Sequence, residues 1–344
     1  MTALSPGKQW GLRRMADAQG FFMMTAVDQR PPIKGPIAAH YGTDEAPYDD
    51  VAAVKALLTE VLQAASTAML LDPHFAIPRG LPLLSPSKGL IVTLEDSIFA
   101  ETPGGRLSAE IDAWSVGKIR RLGGDAVKVL AWYRPDADPK VCAHQQEFVK
   151  RVGAACAKFD IPFLFELLVY PLASDSEKTG NYEEMTSKRA DHVLRSVEVF
   201  AAADYGVDVF KLESPIAAKD VPDAGDAATQ ALFDELGRLA GRPWVMLSAG
   251  AGKPEFQRIL EYACAAGASG YLAGRAIWAE AFRRFPDLQS MRDGLVAESL
   301  PYMHGLNAVV RASGTPWHAH PVFEGKGLEF SPADGSFRQG YEDL

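Results

Sequence analysis

The sequence predicts an α/β protein with a single (β/α)8 TIM barrel and a C-terminal extension. Short apolar segments alternate with longer amphipathic segments along most of the 344 residues, which is typical of a parallel sheet covered on both faces. Eight such units favour a closed barrel over an open sheet. No glycine-rich dinucleotide fingerprint follows the first strand, which also disfavours the open sheet. We expect residues 1–314 to form the barrel and residues 315–344 to form a polar tail packed on it.

Each predicted strand is a short apolar run, and the segments between most strands repeat apolar residues at helical spacing. One connection, Phe75–Lys88, is poor in helix signals because it contains three prolines. The predicted strands are Phe21–Asp28, Ala68–Pro73, Gly89–Asp96, Ala126–Tyr133, Ile161–Tyr170, Val207–Ser214, Pro243–Gly250 and Gly270–Ile277. The predicted helices are Val51–Ser66, Glu110–Leu122, Pro139–Lys158, Tyr182–Ala203, Ala227–Ala240 and Pro254–Ala266.

Composition narrows the class of protein. The content of 47% hydrophobic and 23% charged residues is ordinary for a soluble protein, and no apolar run reaches the roughly 18 residues that span a membrane. No secretory signal is evident, and Cys142, Cys156 and Cys264 lack metal-type spacing, as expected of reduced thiols. The net charge of −9 argues against a nucleic-acid surface. We therefore expect a cytoplasmic homo-oligomer with neither a membrane nor a nucleic acid as partner.

Lys211 is the most informative residue, because it interrupts a buried strand. Alternation places Val209 and Lys211 on one face of the strand and Phe210 and Leu212 on the other. Burial and a neighbouring cation both lower the pKa of a lysine, and an uncharged lysine attacks carbonyl carbon. The pattern therefore indicates a Schiff-base enzyme, although a lysine that reaches solvent or pairs with a carboxylate would also fit.

Polar residues also end other predicted strands, where barrel enzymes carry their catalytic groups. Lys128, Glu166 and Lys211 lie on three consecutive strands, and neighbouring strands are about 4.8 Å apart, so their inward side chains can meet. Any one of them could be a paired structural charge, but three together favour a catalytic centre. Glu166 would offset the positive charge and transfer protons, and Asp28 could orient or deprotonate a substrate hydroxyl. Such a set suits retro-aldol cleavage, in which an iminium on Lys211 accepts the electrons of the broken carbon–carbon bond.

Two glycine-containing segments suggest an anion site. Leu247–Gly252 and Leu272–Ile277 follow the seventh and eighth strands, where this fold usually binds phosphate. Small residues let backbone N–H groups approach an anion, and Arg275 adds a fixed fork of donors. We expect a phosphate at these two loops.

The chain resembles the tagatose-1,6-bisphosphate aldolase family, which is a metal-independent, Schiff-base branch of the barrel aldolases. The resemblance runs from about Phe21 to Ile277 and rests on motifs that occur in order. These are Val27-Asp-Gln-Arg30, Val127-Lys-Val-Leu130, Phe165-Glu166, Val209-Phe-Lys-Leu-Glu213, Leu247-Ser-Ala-Gly250 and Ala273-Gly-Arg275.

The resemblance implies a lyase that needs no cofactor and no metal. The reaction implied is the reversible cleavage of a ketose 1,6-bisphosphate to dihydroxyacetone phosphate and glyceraldehyde 3-phosphate. The catalytic residues implied are Lys211, Glu166, Lys128 and Asp28, with Gln29, Ser248, Gly250, Gly274 and Arg275 around substrate and phosphate.

Departures from the family leave the substrate open. Pro31-Pro-Ile-Lys34 stands where we expect a smaller turn, and the helix-poor connection and the tail could line the distal end of the pocket. One alternative is an aldolase for a sulfonated ketose 1-phosphate, such as 6-deoxy-6-sulfofructose 1-phosphate. A second is a non-catalytic regulatory barrel that senses sugar phosphates. A zinc-dependent aldolase is disfavoured, because the seven histidines mostly fall outside strand ends.

Overall fold

Eight parallel strands close into a barrel in the computed structural model, which describes residues 4–172, 175, 189–323 and 335–340. The predicted fold class is confirmed. The barrel strands are β1 Phe22–Ala26, β2 Ala68–Leu71, β3 Gly89–Thr93, β6 Ala126–Trp132, β7 Phe163–Leu168, β8 Val209–Leu212, β9 Trp244–Met246 and β10 Gly270–Ala273. Two short antiparallel strands, β4 Ala100–Thr102 and β5 Gly105–Leu107, form a hairpin between β3 and β6. The order around the barrel is β1-β10-β9-β8-β7-β6-β3-β2.

Helices cover the outside of the barrel. The described α-helices are α1 Pro6–Met15, α2 Pro31–Tyr41, α3 Tyr48–Leu62, α4 Ala76–Gly80, α5 Val116–Leu122, α6 Pro139–Lys158, α7 Arg189–Phe200, α8 Ala227–Ala240, α9 Lys253–Ala265, α10 Arg275–Phe282, α11 Leu288–Gly294 and α12 Leu300–Ser313. Every predicted helix has a counterpart. The start of one predicted helix, residues 182–188, lies outside the described residues.

The structure departs from the sequence-based expectations at four places. The helix predicted from Glu110 begins only at Val116, because Glu110 forms a β-bridge with Glu95 and Ser115 caps the helix. The last strand ends at Ala273, and Arg275 begins α10. The proline-containing connection after β2 holds the short helix α4. The segment starting at Pro31 is not a turn but the first turn of α2, where a missing N–H is tolerated.

The barrel interior and the helix-facing layer are separate apolar clusters. Val209 belongs to the interior cluster, whereas Phe210 and Leu212 pack against the helices, as the predicted alternation requires. Leu12 of α1 and Trp317 of the tail close the amino-terminal floor of the same interior cluster.

Residues 315–323 of the tail lie at this floor. Trp317 is 2% exposed, and its backbone N–H donates to the carbonyl of Gly20, 3.0 Å away, just before β1. This position is opposite the carboxyl ends of the strands, so the expectation that residues 315–323 help to line a substrate pocket is wrong. The division of the chain at residue 314 stays a prediction.

Candidate active site

A cavity of about 790 Å³ lies at the carboxyl ends of the barrel strands. Eight of the nine predicted site residues line it: Asp28, Gln29, Lys128, Glu166, Lys211, Ser248, Gly274 and Arg275. The ninth, Gly250, lies directly against Arg275, because a Cβ added there would be 3.2 Å from the guanidinium carbon. The fold therefore brings the predicted set into one place.

Strand register sets Glu166 beside Lys211. The two residues are direct partners on the neighbouring strands β7 and β8, and both side chains face the barrel interior. The Nζ of Lys211 donates to Oε2 of Glu166 at 2.9 Å, and Lys211 is only 3% exposed. The ammonium or amine of Lys211 is thus in direct hydrogen-bond contact with a carboxylate.

Lys128 lies closer to the amino-terminal end of the barrel than Glu166 does. Its side chain extends toward the carboxyl ends of the strands and joins the same cluster. Its register partner on β7 is Leu164, two residues before Glu166. Its Nζ lies 2.6 Å from a carboxylate oxygen of Glu95 and 2.9 Å from oxygens of both Asp28 and Glu166. One buried cation therefore holds three carboxylates, and Glu166 joins the two lysines.

The electrostatics of the cluster fix most of its charges. Burial opposes the charge of Lys128, but Asp28, Glu166 and Glu95 outweigh it and hold the pKa of Lys128 well above its ordinary value. Burial also opposes ionisation of Asp28 and Glu166, but Lys128 and Lys211 outweigh it and lower the pKa of each carboxyl group. At neutral pH, Lys128 is therefore a cation, and Asp28 and Glu166 are carboxylates.

Glu95 is part of this cluster and was missed by sequence reasoning. Burial raises its pKa above the ordinary value, because it outweighs the attraction of Lys128 and Arg30. Its Oε2 has no hydrogen-bond partner among the described residues, while the backbone carbonyl of Glu95 accepts from Arg30 at 3.1 Å. Glu95 lies at the carboxyl end of the third predicted strand, so the strand-end rule used for the other residues could have found it.

The loops after β9 and β10 form the part of the cavity wall that lies across the barrel from β3 and β6. Gly274 caps α10, and a Cβ at this position would come within 2.6 Å of Nε2 of Gln29 and 2.7 Å of the carbonyl of Ala26, so only glycine fits. The guanidinium of Arg275 packs over Gly250, whose φ is +83°. Helix amino termini, close-packed glycines and a guanidinium together suit an oxyanion.

The β4–β5 hairpin supplies a wall that the sequence did not predict. Phe99 and Arg106 from the hairpin region line the cavity beside Trp132 at the end of β6. Apolar side chains of Leu130 and Leu168 extend this wall toward the lysines. This side of the cavity therefore combines aromatic and apolar side chains with the cation of Arg106 and the carboxylate of Glu101.

Other features of the chain bear on metal and membrane binding. Over the described ranges, no three histidine, cysteine, aspartate or glutamate side chains are grouped to hold a metal ion. In the same part of the chain, no helix is both long and apolar enough to cross a membrane. Independence of metal and of cofactors stays a prediction.

Comparison with known proteins identifies relatives. Residues 22–280 match the family described as DeoC/LacD family aldolase. Tagatose 1,6-diphosphate aldolase 1 of Streptococcus mutans is 30% identical over 325 residues, which cover 91% of this chain and 98% of the relative. Tagatose 1,6-diphosphate aldolase 2 of Enterococcus faecalis is 29% identical over 331 residues, with coverage of 93% and 98%.

Solved structures share the fold. A fructose-bisphosphate aldolase from Plasmodium falciparum has a TM-score of 0.64 at 13% identity, with coverage of 91% of this chain and 98% of that one. An archaeal fructose-1,6-bisphosphate aldolase, solved with its catalytic lysine bound to a carbinolamine intermediate, has a TM-score of 0.55 at 19% identity, with coverage of 87% and 98%. These structures support the barrel, and the sequence matches support the predicted family and the predicted class of enzyme. The chain belongs to the DeoC/LacD family of aldolases.

Proposed function

We propose that the protein is a Schiff-base aldolase that cleaves a ketose 1,6-bisphosphate reversibly to dihydroxyacetone phosphate and glyceraldehyde 3-phosphate. The substrate is tagatose 1,6-bisphosphate or one of its epimers. The contact of 2.9 Å between Lys211 and Glu166 inside the cavity carries this proposal. The family match and the names of the bacterial relatives support the class of substrate.

The first half of the reaction forms the iminium. The uncharged amine of Lys211 attacks C2 of the ketose, and the resulting carbinolamine loses its hydroxyl as water. Glu166 accepts the proton of the amine and returns one to the leaving hydroxyl, since its oxygen lies within hydrogen-bond distance of Nζ. The cation of Lys128, 2.9 Å from Glu166, keeps this carboxyl group ionised between proton transfers.

The second half breaks the bond between C3 and C4. A carboxylate removes the proton of the C4 hydroxyl, C4 becomes the aldehyde carbon, and the bonding electrons enter an enamine on Lys211. Asp28 is ionised and lies in the cavity, so we assign it to this hydroxyl. Protonation of C3 and hydrolysis of the iminium then release dihydroxyacetone phosphate and the free lysine.

Borohydride trapping tests the proposed function. Tagatose 1,6-bisphosphate or dihydroxyacetone phosphate is incubated with enzyme and borohydride in the presence of EDTA, and peptides are analysed by mass spectrometry. We expect inactivation and addition of the reduced substrate to the peptide that contains Lys211. Labelling of another lysine, or turnover that EDTA stops and zinc restores, would contradict the proposal.

Arg275 is expected to bind the phosphate of the three-carbon ketone half, since β9 and β10 follow β8 around the barrel. Arg275→Ala removes a charge-assisted contact, so KM should rise by at least about tenfold, while trapping at Lys211 persists at high substrate concentration. Steady-state kinetics with tagatose 1,6-bisphosphate measures this change. An unchanged KM would place the anion elsewhere, such as at Arg30 or Lys34.

Two further points stay predictions. Cleavage of a sulfonated ketose 1-phosphate would keep the same Lys211 chemistry and differ only at the far end of the substrate. A location in the cytoplasm and assembly into a homo-oligomer remain expectations from the sequence, which cell fractionation and sedimentation would check.

A further inference from the structure

We infer that Arg106 of the β4–β5 hairpin binds the terminal oxyanion at C6 of the substrate, a phosphate or a sulfonate. This inference rests on the proposed function and adds the residue that recognises the distal end.

The position of Arg106 in the barrel is the first observation. In the ring of eight strands, β9 and β10 lie opposite β3 and β6, and the hairpin connects β3 to β6. Arg275 and Arg106 therefore line the same cavity from opposite sides, with Lys211 and Glu166 on the strands between them. A six-carbon chain bound through C2 to Lys211, with its C1 anion at Arg275, directs C6 toward the hairpin.

The environment of the guanidinium is the second observation. The guanidinium carbon of Arg106 lies 4.6 Å from the ring centroids of both Phe99 and Trp132 and 4.8 Å from that of Tyr170. Three aromatic faces hold the group in place and exclude water, which strengthens a charge-assisted hydrogen bond made at its edge.

The hairpin itself is fixed against the barrel. The backbone N–H of Arg106 donates to the hydroxyl of Tyr170 at 3.0 Å, and the N–H of Ser108 donates to Gln145 at 2.9 Å. Gly105 has a φ of +137°, and a Cβ there would lie 2.2 Å from the Tyr170 hydroxyl oxygen, so the hairpin packs closely on Tyr170, just after β7. A preorganised cation of this kind loses little freedom when an anion binds.

The surrounding charges separate Arg106 from the reaction centre. Lys128, Lys211 and Arg30 each contact a carboxylate of the central cluster. Arg106 contacts the carboxylate of Glu101, whose oxygen is 3.5 Å from Nε and whose side chain is 71% exposed. An entering phosphate or sulfonate competes with this largely solvent-exposed carboxylate for the guanidinium.

A comparison of substrates tests the inference. Kinetics are measured with tagatose 1,6-bisphosphate, with tagatose 1-phosphate, which lacks the distal anion, and with a 6-sulfonated ketose 1-phosphate. Arg106→Gln should raise KM for the substrate with the correct distal anion by at least about tenfold and alter kcat/KM for the 1-phosphate by less than about threefold. Arg275→Ala should affect all three substrates. The more strongly affected of the phosphate and sulfonate substrates identifies the natural anion.

Two milder variants keep the inference testable if Arg106→Gln fails to fold. Arg106→Lys keeps the charge without the planar fork and should give an intermediate rise in KM. Glu101→Gln removes the competing carboxylate and should lower KM for the doubly anionic substrate only, which a purely structural role of the hairpin would not produce. Equal effects of these variants on doubly and singly anionic substrates, or no effect on either, would overturn the assignment.

Measuring the binding of these sugars to the Lys211→Met variant distinguishes failure of this inference from failure of the proposed function. Calorimetry on that background measures affinity without turnover. A selective loss of affinity for the doubly anionic sugar on adding Arg106→Gln supports the distal site even if cleavage or trapping fails. Equal affinity for singly and doubly anionic sugars in the Lys211→Met background overturns the distal site even if the enzyme cleaves both.

Discussion

A Lys211→Met variant is expected to lose at least about 10⁴-fold in kcat, because it removes the nucleophile of the proposed covalent step. The fold should survive this change, since Glu166 keeps its contact of 2.9 Å with Lys128. Cleavage of tagatose 1,6-bisphosphate is measured by coupled assay, and thermal unfolding confirms that the variant is folded.

The matched control is Lys219→Met, which changes an exposed lysine in the loop after the same strand. It should retain activity and borohydride trapping. A folded Lys211→Met enzyme with more than about a tenth of the original kcat would exclude a Schiff base at this residue.

Lys128→Met is expected to be the most destabilising substitution in the cavity. It leaves Asp28, Glu95 and Glu166 close together with one fewer buried cation, and breaking a buried ion pair in this way costs about 3–5 kcal/mol in free energy of unfolding. Urea unfolding at pH 7.5 measures the loss, with the exposed Lys140→Met as control.

The pH dependence of this loss has a defined sign. In the natural protein, the lowered pKa of Asp28 and of Glu166 gives a stabilisation that is present above their unfolded pKa and disappears as the pH falls through the folded value. Without Lys128, burial and mutual repulsion raise the pKa of these groups, so the variant loses stability as the pH rises. The difference between the two proteins should therefore shrink from pH 7.5 toward about pH 4. A difference that grows on acidification would mean that the cluster is not held by Lys128.

The barrel and the gathering of charged residues in its cavity could be predicted because their signals are local and repeated. Alternation along β8 places Lys211 inside, and parallel pairing brings Glu166 of the next strand beside it. The depth of Lys128 could not be predicted, because the register between β6 and β7 is set by packing of the whole ring. Only the structure shows that the side chain of Lys128 extends toward the carboxyl ends of the strands and contacts Asp28 there.

Other elements escaped prediction because their sequences carry the wrong signals. Strands β4 and β5 have three residues each, and β4 is largely exposed, so no apolar run marks the hairpin. Pro31 and Pro32 suggest a turn, although prolines are favourable in the first turn of α2. The apolar residues after Gly274 continue the strand pattern, although they begin the helix α10 that packs on the barrel.

The hairpin is attached to Tyr170 and Gln145, whereas Glu166 and Lys211 are carried by the barrel strands themselves. Mutations in residues 97–108 therefore reshape the mouth of the cavity without altering the pairing that sets Glu166 against Lys211. In evolutionary terms, exchange of this one loop would change which sugars fit the proposed distal site. The pair of Lys211 and Glu166, which we propose as catalytic, would be inherited unchanged.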